Sequence, residues 1–189
     1  KERGKGLYPT RRLVLGILKY PRSMASFNLD DYAAKPPKSY HNDEADVVDW
    51  ALAGFTKSDR ENLIASADGK GAHHSLDCSI LELADDIAYG IHDIEDIVAR
   101  GLASDKEIQE EITKAFANIE NASLAGFEAE KVCDGLLSDS FQRKQTISGL
   151  VNLIITNVTL VEQKSYDHAL LRFNASLPEP HASLLKALK

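Results

Sequence analysis

From Lys38 to Leu177 the chain runs for 140 residues without a proline. Proline in a helix interior removes a hydrogen bond and collides with the preceding turn, at a cost of about 3 kcal/mol. So long a stretch without it suits a succession of helices and little else. All six prolines lie outside it, at Pro9, Pro21, Pro36, Pro37, Pro178 and Pro180. The 189 residues are enough for one domain of ordinary size with a sizeable core. With 43% hydrophobic residues the chain is not a disordered tail, and no 18-residue apolar run marks a membrane span. It begins at Lys1 rather than Met and ends on a helical pattern at Leu184, Leu185 and Leu188. The expectation is therefore a piece of something larger.

Bulk chemistry removes several function classes. Lys and Arg number 22 against 29 Asp and Glu, a formal net charge of -7, which argues against nucleic-acid binding by bulk charge. The one basic cluster is Lys1, Arg3, Lys5, Arg11, Arg12, Lys19 and Arg22, readable as a solvated end or as an anion contact. Cys78 and Cys133 have no CxxC spacing and make no disulfide framework; they are expected as reduced thiols on helices. The apolar stretch Leu13 to Leu18 is too short for a signal sequence, so a cytoplasmic protein without a membrane anchor is the default.

Helix punctuation is legible along the chain. Thr10 caps a first helix that Tyr20-Pro21 stops. Asn42 or Asp43 caps a helix ending near Gly54, and Ser58-Asp59-Arg60-Glu61 reads as a capping box for a short helix closed by Asp68-Gly69. Ser75 caps a long helix ended by Gly101, and Ser104 to Glu107 is a second capping box ahead of Ile108, Ile112, Phe116 and Ile119. Further helices are expected over Phe127 to Leu137 and Phe141 to Val161, with Tyr166 to Asn174 and Ala182 to Leu188 finishing the chain. Ile154 to Thr159 is β-branched enough for a strand, but its apolar spacing of three and four favours helix. The fold class is all-α. The chain reads as a single region, with residues 1–100 bearing the candidate site and 101–189 forming a second helical part.

The long helix carries the chemistry. At about 100° per residue, Leu76, Ile80, Leu83, Ile87, Ile91, Ile94 and Val98 share one sector. Glu82, Asp85, Tyr89, His92, Asp93 and Asp96 share the opposite one. Such a stripe is either a solvated acidic face or a covered one. Repulsion among Asp85, Asp93 and Asp96, without a Lys or Arg in their sector, and the presence of Tyr and His favour a cation or a covering wall.

Leu83-Ala84-Asp85-Asp86-Ile87-Ala88-Tyr89, followed by His92-Asp93-Ile94-Glu95-Asp96, resembles the last metal-ligand motif of the HD-domain deoxynucleoside triphosphate triphosphohydrolases, the dGTPase family. Gly6-Leu7-Tyr8-Pro9-Thr10-Arg11 and Gly16-Ile17-Leu18-Lys19-Tyr20-Pro21 resemble that family's Gly-Leu-Asn-Leu-Thr helix ending in Leu-Lys-Tyr-Pro. Lys35-Pro36-Pro37-Lys38-Ser39-Tyr40 and Glu44 to Trp50 resemble its Lys-Pro loop and following helix. The matches cover residues 6–100 in order.

The resemblance implies a multi-helical HD-type fold and a divalent metal, Mg²⁺ or Mn²⁺ or another transition metal, with Asp85 as its ligand. Tyr89 would face the sugar and phosphates, Asp93 the 3′-hydroxyl, and Lys19 and Tyr20 the triphosphate. The implied reaction is attack of a metal-held water on the α-phosphorus, releasing a deoxynucleoside and triphosphate. A homo-oligomer is also implied. An HD site needs a first His, a His-Asp pair and a distal Asp, and in the family the first three lie upstream of the segment matching residues 6–20. The chain is thus expected to be a C-terminal portion without the catalytic His and His-Asp, inactive alone. His92-Asp93 is an HD dipeptide, yet the resemblance sets it after the distal aspartate. His73-His74 reads as a solvated loop pair. The rival readings are a non-catalytic interaction module derived from such a fold and a hydrolase of another phosphate ester.

Overall fold

The computed structural model describes residues 8–28, 30, 35–68, 73–117 and 126–188. As the missing prolines require, it is helical almost throughout. The helices are α1 (Arg11–Ile17), α2 (Ala45–Leu52), α3 (Lys57–Ala65), α4 (Leu76–Arg100), α5 (Asp105–Ala117), α6 (Ala129–Leu137), α7 (Ser140–Thr156), α8 (Ala169–Arg172) and α9 (Glu179–Leu188). A two-stranded ribbon joins β1 (Thr159–Glu162) to β2 (Phe173–Ser176). No described helix is long and apolar enough to cross a membrane.

The chain divides into two compact units, Lys1–Leu81 with Leu160–Asn174 and Glu82–Thr159 with Ala175–Lys189. In the first, Leu15, Val48, Leu52, Phe55, Leu63, Tyr166 and Leu171 form the core. Thr10 caps α1 as its sequence announces, accepting from the Leu13 amide at 3.2 Å. Two expected caps move. The Glu44 carboxylate accepts from the His41 amide at 2.9 Å, so the turn before α2 opens at His41 rather than at Asn42 or Asp43. Helix α3 starts at Thr56, whose hydroxyl accepts from Asp59 at 3.1 Å, so Ser58 and Glu61 are not a capping box. Buried Asp59 is committed elsewhere: its carboxylate accepts from the Asp167 amide at 2.8 Å and the His168 amide at 3.1 Å.

The second unit is built on Ile87 and Ile91 of α4, Ile108, Ile112 and Phe116 of α5, Val132 and Leu136 of α6, Ile147, Leu150 and Ile154 of α7, and Leu184 and Leu188 of α9. Small residues let α6 and α7 meet closely. A Cβ added at Gly135 would overlap Thr146 Oγ1 of α7, and one at Gly149 of α7 would lie 3.0 Å from Cζ of Phe127, just ahead of α6. Ser104 and Glu107 form the expected capping box, with the Ser104 amide donating to Glu107 at 2.8 Å. Ile119 falls outside the described residues.

Two expected elements are corrected. Helix α7 stops at Thr156, and Thr159 to Val161 enter β1 rather than continuing the helix. The amides of Asn157 and Val158 close the last turn onto Ile154 and Ile155, and the β-branched run beyond them pairs with β2. Tyr166 to Asn174 is not a helix but a turn, the single turn α8 and the start of β2. Gln163 bonds Arg172 and Thr159 bonds Ser176, a register that makes the ribbon antiparallel.

Candidate active site

Both ends of α4 are fixed locally. At its start the Ser75 hydroxyl accepts from Cys78 at 3.2 Å and donates to the Leu15 carbonyl of α1 at 3.1 Å. At its end Gly101 adopts φ +62°, a left-handed value that glycine takes without strain. The amides of Gly101 and Leu102 return to the carbonyls of Val98 and Ile97 at 3.2 and 3.0 Å, the Schellman closure.

Orientation about the helix axis follows from burial. Ile87 and Ile91 are buried in the second unit's core, with Leu83, Ile94 and Val98 packed against it. The opposite face is therefore turned outward, and Asp85, Tyr89, His92, Asp93 and Asp96 are exposed. The expected apolar sector does not hold over the first two turns. Ile80 is exposed while Cys78 and Ser79 are buried. Residues 76–81 of α4 belong to the first unit, where the side carrying Ser75 is the one held against α1.

Within the outward face the residues differ in their engagements. Asp96 pairs with Arg100 at 3.2 Å, and His92 Nδ1 meets Glu95 at 3.3 Å. The side chains of Asp85, Tyr89 and Asp93 make no hydrogen bond or ion pair with a described residue. They lie at i, i+4 and i+8 and so form one ridge. Two carboxylates and a phenol in a row offer acceptors to a cation and both acceptor and donor groups to hydroxyls. No group of three or more His, Cys, Asp or Glu that could hold a metal exists among the described residues.

Lys19 and Tyr20 follow α1 in the first unit. Lys19 Nζ stands 5.7 Å from the Tyr20 ring centroid. Lys38, from the Pro36-Pro37 loop, donates to Tyr20 Oη at 2.9 Å and lies 5.1 Å from the same centroid. Two ammonium groups thus attend one phenol. Lys38 is not legible in the sequence as a partner of Tyr20, because the contact spans 18 residues and only the loop motif hints at it. The rest of the basic cluster is partly spent on structure: Arg12 grips Asp77, Arg11 stacks over Trp50 at 5.3 Å and Arg22 over Phe27 at 4.2 Å. Lys1, Arg3 and Lys5 lie outside the described residues.

The other histidines have structural partners in part. His73 and His74 are half-buried, not solvated as expected. His73 Nε2 lies 2.6 Å from the Leu171 carbonyl and its ring stacks on Tyr166 at 4.0 Å. Burial pushes the His73 pKa down, against the opposing effect of that carbonyl. His168 caps α8 through Nδ1. Cys78 and Cys133 are buried free thiols on helices, as expected.

Homology bears on what this ridge belongs to. Over 204 aligned residues the chain is 35% identical to a deoxyguanosinetriphosphate triphosphohydrolase-like protein of Shewanella woodyi, the match covering 97% of the chain and 46% of the relative. The like-named protein of Shewanella loihica is 34% identical over the same shares. That of Aliivibrio fischeri is 31% identical over 213 residues, 97% of the chain and 47% of the relative. The chain belongs to the dGTPase-like family. It spans about half the length of the curated relatives it matches. No family model matches it. The alignment covers 97% of the chain, so nearly all of its helical scaffold, and not the acidic stretch of α4 alone, is a dGTPase-like sequence.

Proposed function

We propose that this chain is the Asp85-bearing, C-terminal part of a metal-dependent deoxynucleoside triphosphate triphosphohydrolase acting on dGTP or another deoxynucleoside triphosphate. The reading rests on one observation: a dGTPase-like chain presents Asp85, Tyr89 and Asp93 as an outward, unengaged ridge on a single rigid helix. In this reading Asp85 is one ligand of the divalent ion, Tyr89 and Asp93 face the deoxyribose, and Lys19 and Tyr20 serve the triphosphate. Lys suits that task because its ammonium is a compact point charge.

The described residues do not by themselves fit a divalent ion, since no three ligand-type side chains come together. The metal site of this reading is completed by residues outside the chain, and the chain alone is inactive. What its own residues contribute is placement. Eight residues of helix hold the Asp85 and Asp93 side chains in fixed register, and the buried Ile87 and Ile91 prevent α4 from rolling.

The test is an assay of the full-length protein with dGTP and Mn²⁺ or Mg²⁺, following triphosphate release. Partners in the outer shell of a metal are worth about 10- to 100-fold, so Asp85→Ala, which removes a direct ligand, lowers the rate by about 100-fold or more. An unchanged rate removes Asp85 from the site. Nucleotide binding without turnover favours an interaction module, and turnover of other phosphate esters in its place favours a different hydrolase.

A further inference from the structure

Asp59, Ser75, Ser79 and His181 are the buried polar side chains among the described residues. The first three lie in the first unit and are hydrogen-bonded: Asp59 to two amides, Ser75 to the Leu15 carbonyl and Ser79 to that of Leu76. His181 is different. It sits in the first turn of α9, 4% exposed, and neither Nδ1 nor Nε2 has a hydrogen-bond partner among the described residues. Its backbone amide is engaged, donating to the Pro178 carbonyl at 3.0 Å. The core that α9 enters through Leu184, Leu185 and Leu188 is made of aliphatic side chains, Phe116 and the Cys133 thiol. Such surroundings accept a neutral imidazole. They do not accept an imidazolium, because a buried charge needs a counter-charge or acceptors.

The neighbouring helices supply none from within. Every charged side chain of α5, α6 and α9 is exposed, the carboxylates of Glu107, Glu110, Glu111 and Glu179 included. In the second unit's part of α4, only Glu82 and Glu95 are half-buried, and Glu95 meets His92. Arg143 of α7 is half-buried but is a cation, spent on the carbonyls of Leu136 and Ser138. Burial pushes the Cys133 thiol up, so it stays neutral. Helix α9 is also readily released. Ten residues are too few to hold a helix in water without packing. It packs chiefly on α5, and a cavity of about 270 Å³ lies beside its end, lined by Ala187 and Leu188 with Ile94 and Val98 of α4 and Ile108 and Ile112 of α5. On that side the contacts that would hold it down are missing.

We infer that α9 is an acid-released latch on the second unit, held down while His181 is neutral and lifted when it takes up a proton. Lifted, the imidazolium stands in water; closed, it is an unpaired charge in an apolar core. Opening therefore binds one proton, and the open population rises about tenfold per pH unit while only the open form is charged. Lifting α9 withdraws Leu184, Leu185 and Leu188 from the core that also holds Ile87 and Ile91, the inward anchors of α4. The inference rests on the packing of the second unit and not on the proposed hydrolysis.

Amide hydrogen exchange read by mass spectrometry tests this in the full-length protein, with rates corrected for the intrinsic effect of pH. Peptides from α9 are compared with peptides from α7, which Leu150 and Ile154 bury in the same core. The expected result is that protection of α9 falls by about tenfold or more from about pH 7 to about pH 5, while α7 keeps its own. His181→Leu abolishes the fall, and His181→Gln serves the same purpose if the leucine variant does not fold, since neither side chain titrates. Protection of α9 that does not change with pH in the wild type overturns the inference. So does a fall of the same size in the variant, which assigns it to another group. A fall shared by α7 and α9 overturns it as well, since the whole unit then opens and not the latch.

Discussion

Arg12 and Asp77 form a two-pronged ion pair, Nε to Oδ2 at 2.7 Å and Nη2 to Oδ1 at 2.8 Å, across 65 residues of sequence. The paired geometry fixes direction as well as distance, so it sets how α1 crosses the first turn of α4. The hydrogen bond from Arg12 holds the Asp77 carboxyl below its ordinary value of 3.8, against a smaller upward push from burial. A depressed carboxylate contributes stability that is present above the unfolded value and lost as pH falls through the folded one. In a carbon-13 titration the Asp77 carboxyl is expected to titrate below 3.8, and Arg12→Gln moves it upward. An unchanged midpoint in the variant contradicts the pairing.

His73 gives a pH dependence of the opposite origin. Its pKa is lowered from 6.5 chiefly by burial, so below 6.5 the unfolded chain binds more protons than the folded one. Stability therefore falls as pH drops through that region and levels off once the folded group is also protonated. Urea midpoints of wild type and His73→Gln, measured from pH 8 to pH 5, are expected to converge towards the acid end. Parallel curves remove His73 as a source.

Asp59 ties α3 to the turn before α8. Its carboxylate is 1% exposed and takes two backbone amides, from Asp167 and His168. Asp59→Ala strands both donors in the interior, a loss of about 3 kcal/mol by denaturant unfolding. Asp59→Asn keeps one acceptor oxygen and falls between the two. Equal stability of wild type and the alanine variant rules the tie out.

Gly135 is where α6 meets α7. Gly135→Ala forces its methyl against Thr146, whose hydroxyl is fixed by the Gln142 carbonyl at 3.0 Å, and costs about 1–3 kcal/mol by overpacking. Thr146→Ala in the same chain removes the nearest obstructing atom, Oγ1, together with Cγ2, and restores most of the loss. Without that rescue, the close approach is not the cause.

What the sequence reveals about this molecule depends on how local each device is. Ser75, Gly101 and the pair Ser104 and Glu107 act within a few residues, and their patterns identify the helix ends they make. Thr56 and Ser58 both stand three residues before an acid, and local pattern alone does not choose between them; Asp59 is drawn inward by the amides at 167 and 168, leaving Thr56 as the cap. The ribbon is misread for a similar reason. Spacing of three and four through Val158 fits a helix, but Thr159 to Glu162 find partners at Phe173–Ser176. The ridge of Asp85, Tyr89 and Asp93 is legible because one helix carries all three. The meeting of Lys38 with Tyr20 is not, because a loop between them decides it.

The 25 residues of α4 make it a ruler. At about 1.5 Å per residue, Asp85 and Asp93 stand about 12 Å apart along its axis, a separation set by helix geometry and independent of any loop. The same eight residues hold Ile87 and Ile91, so the graduations on the outward side and the anchors on the inward side share one count. Adding or deleting a residue between Asp85 and Asp93 would turn one carboxylate about 100° away from the other and pull an anchor out of the core in the same stroke. Substitutions can vary this stretch, but its length is locked.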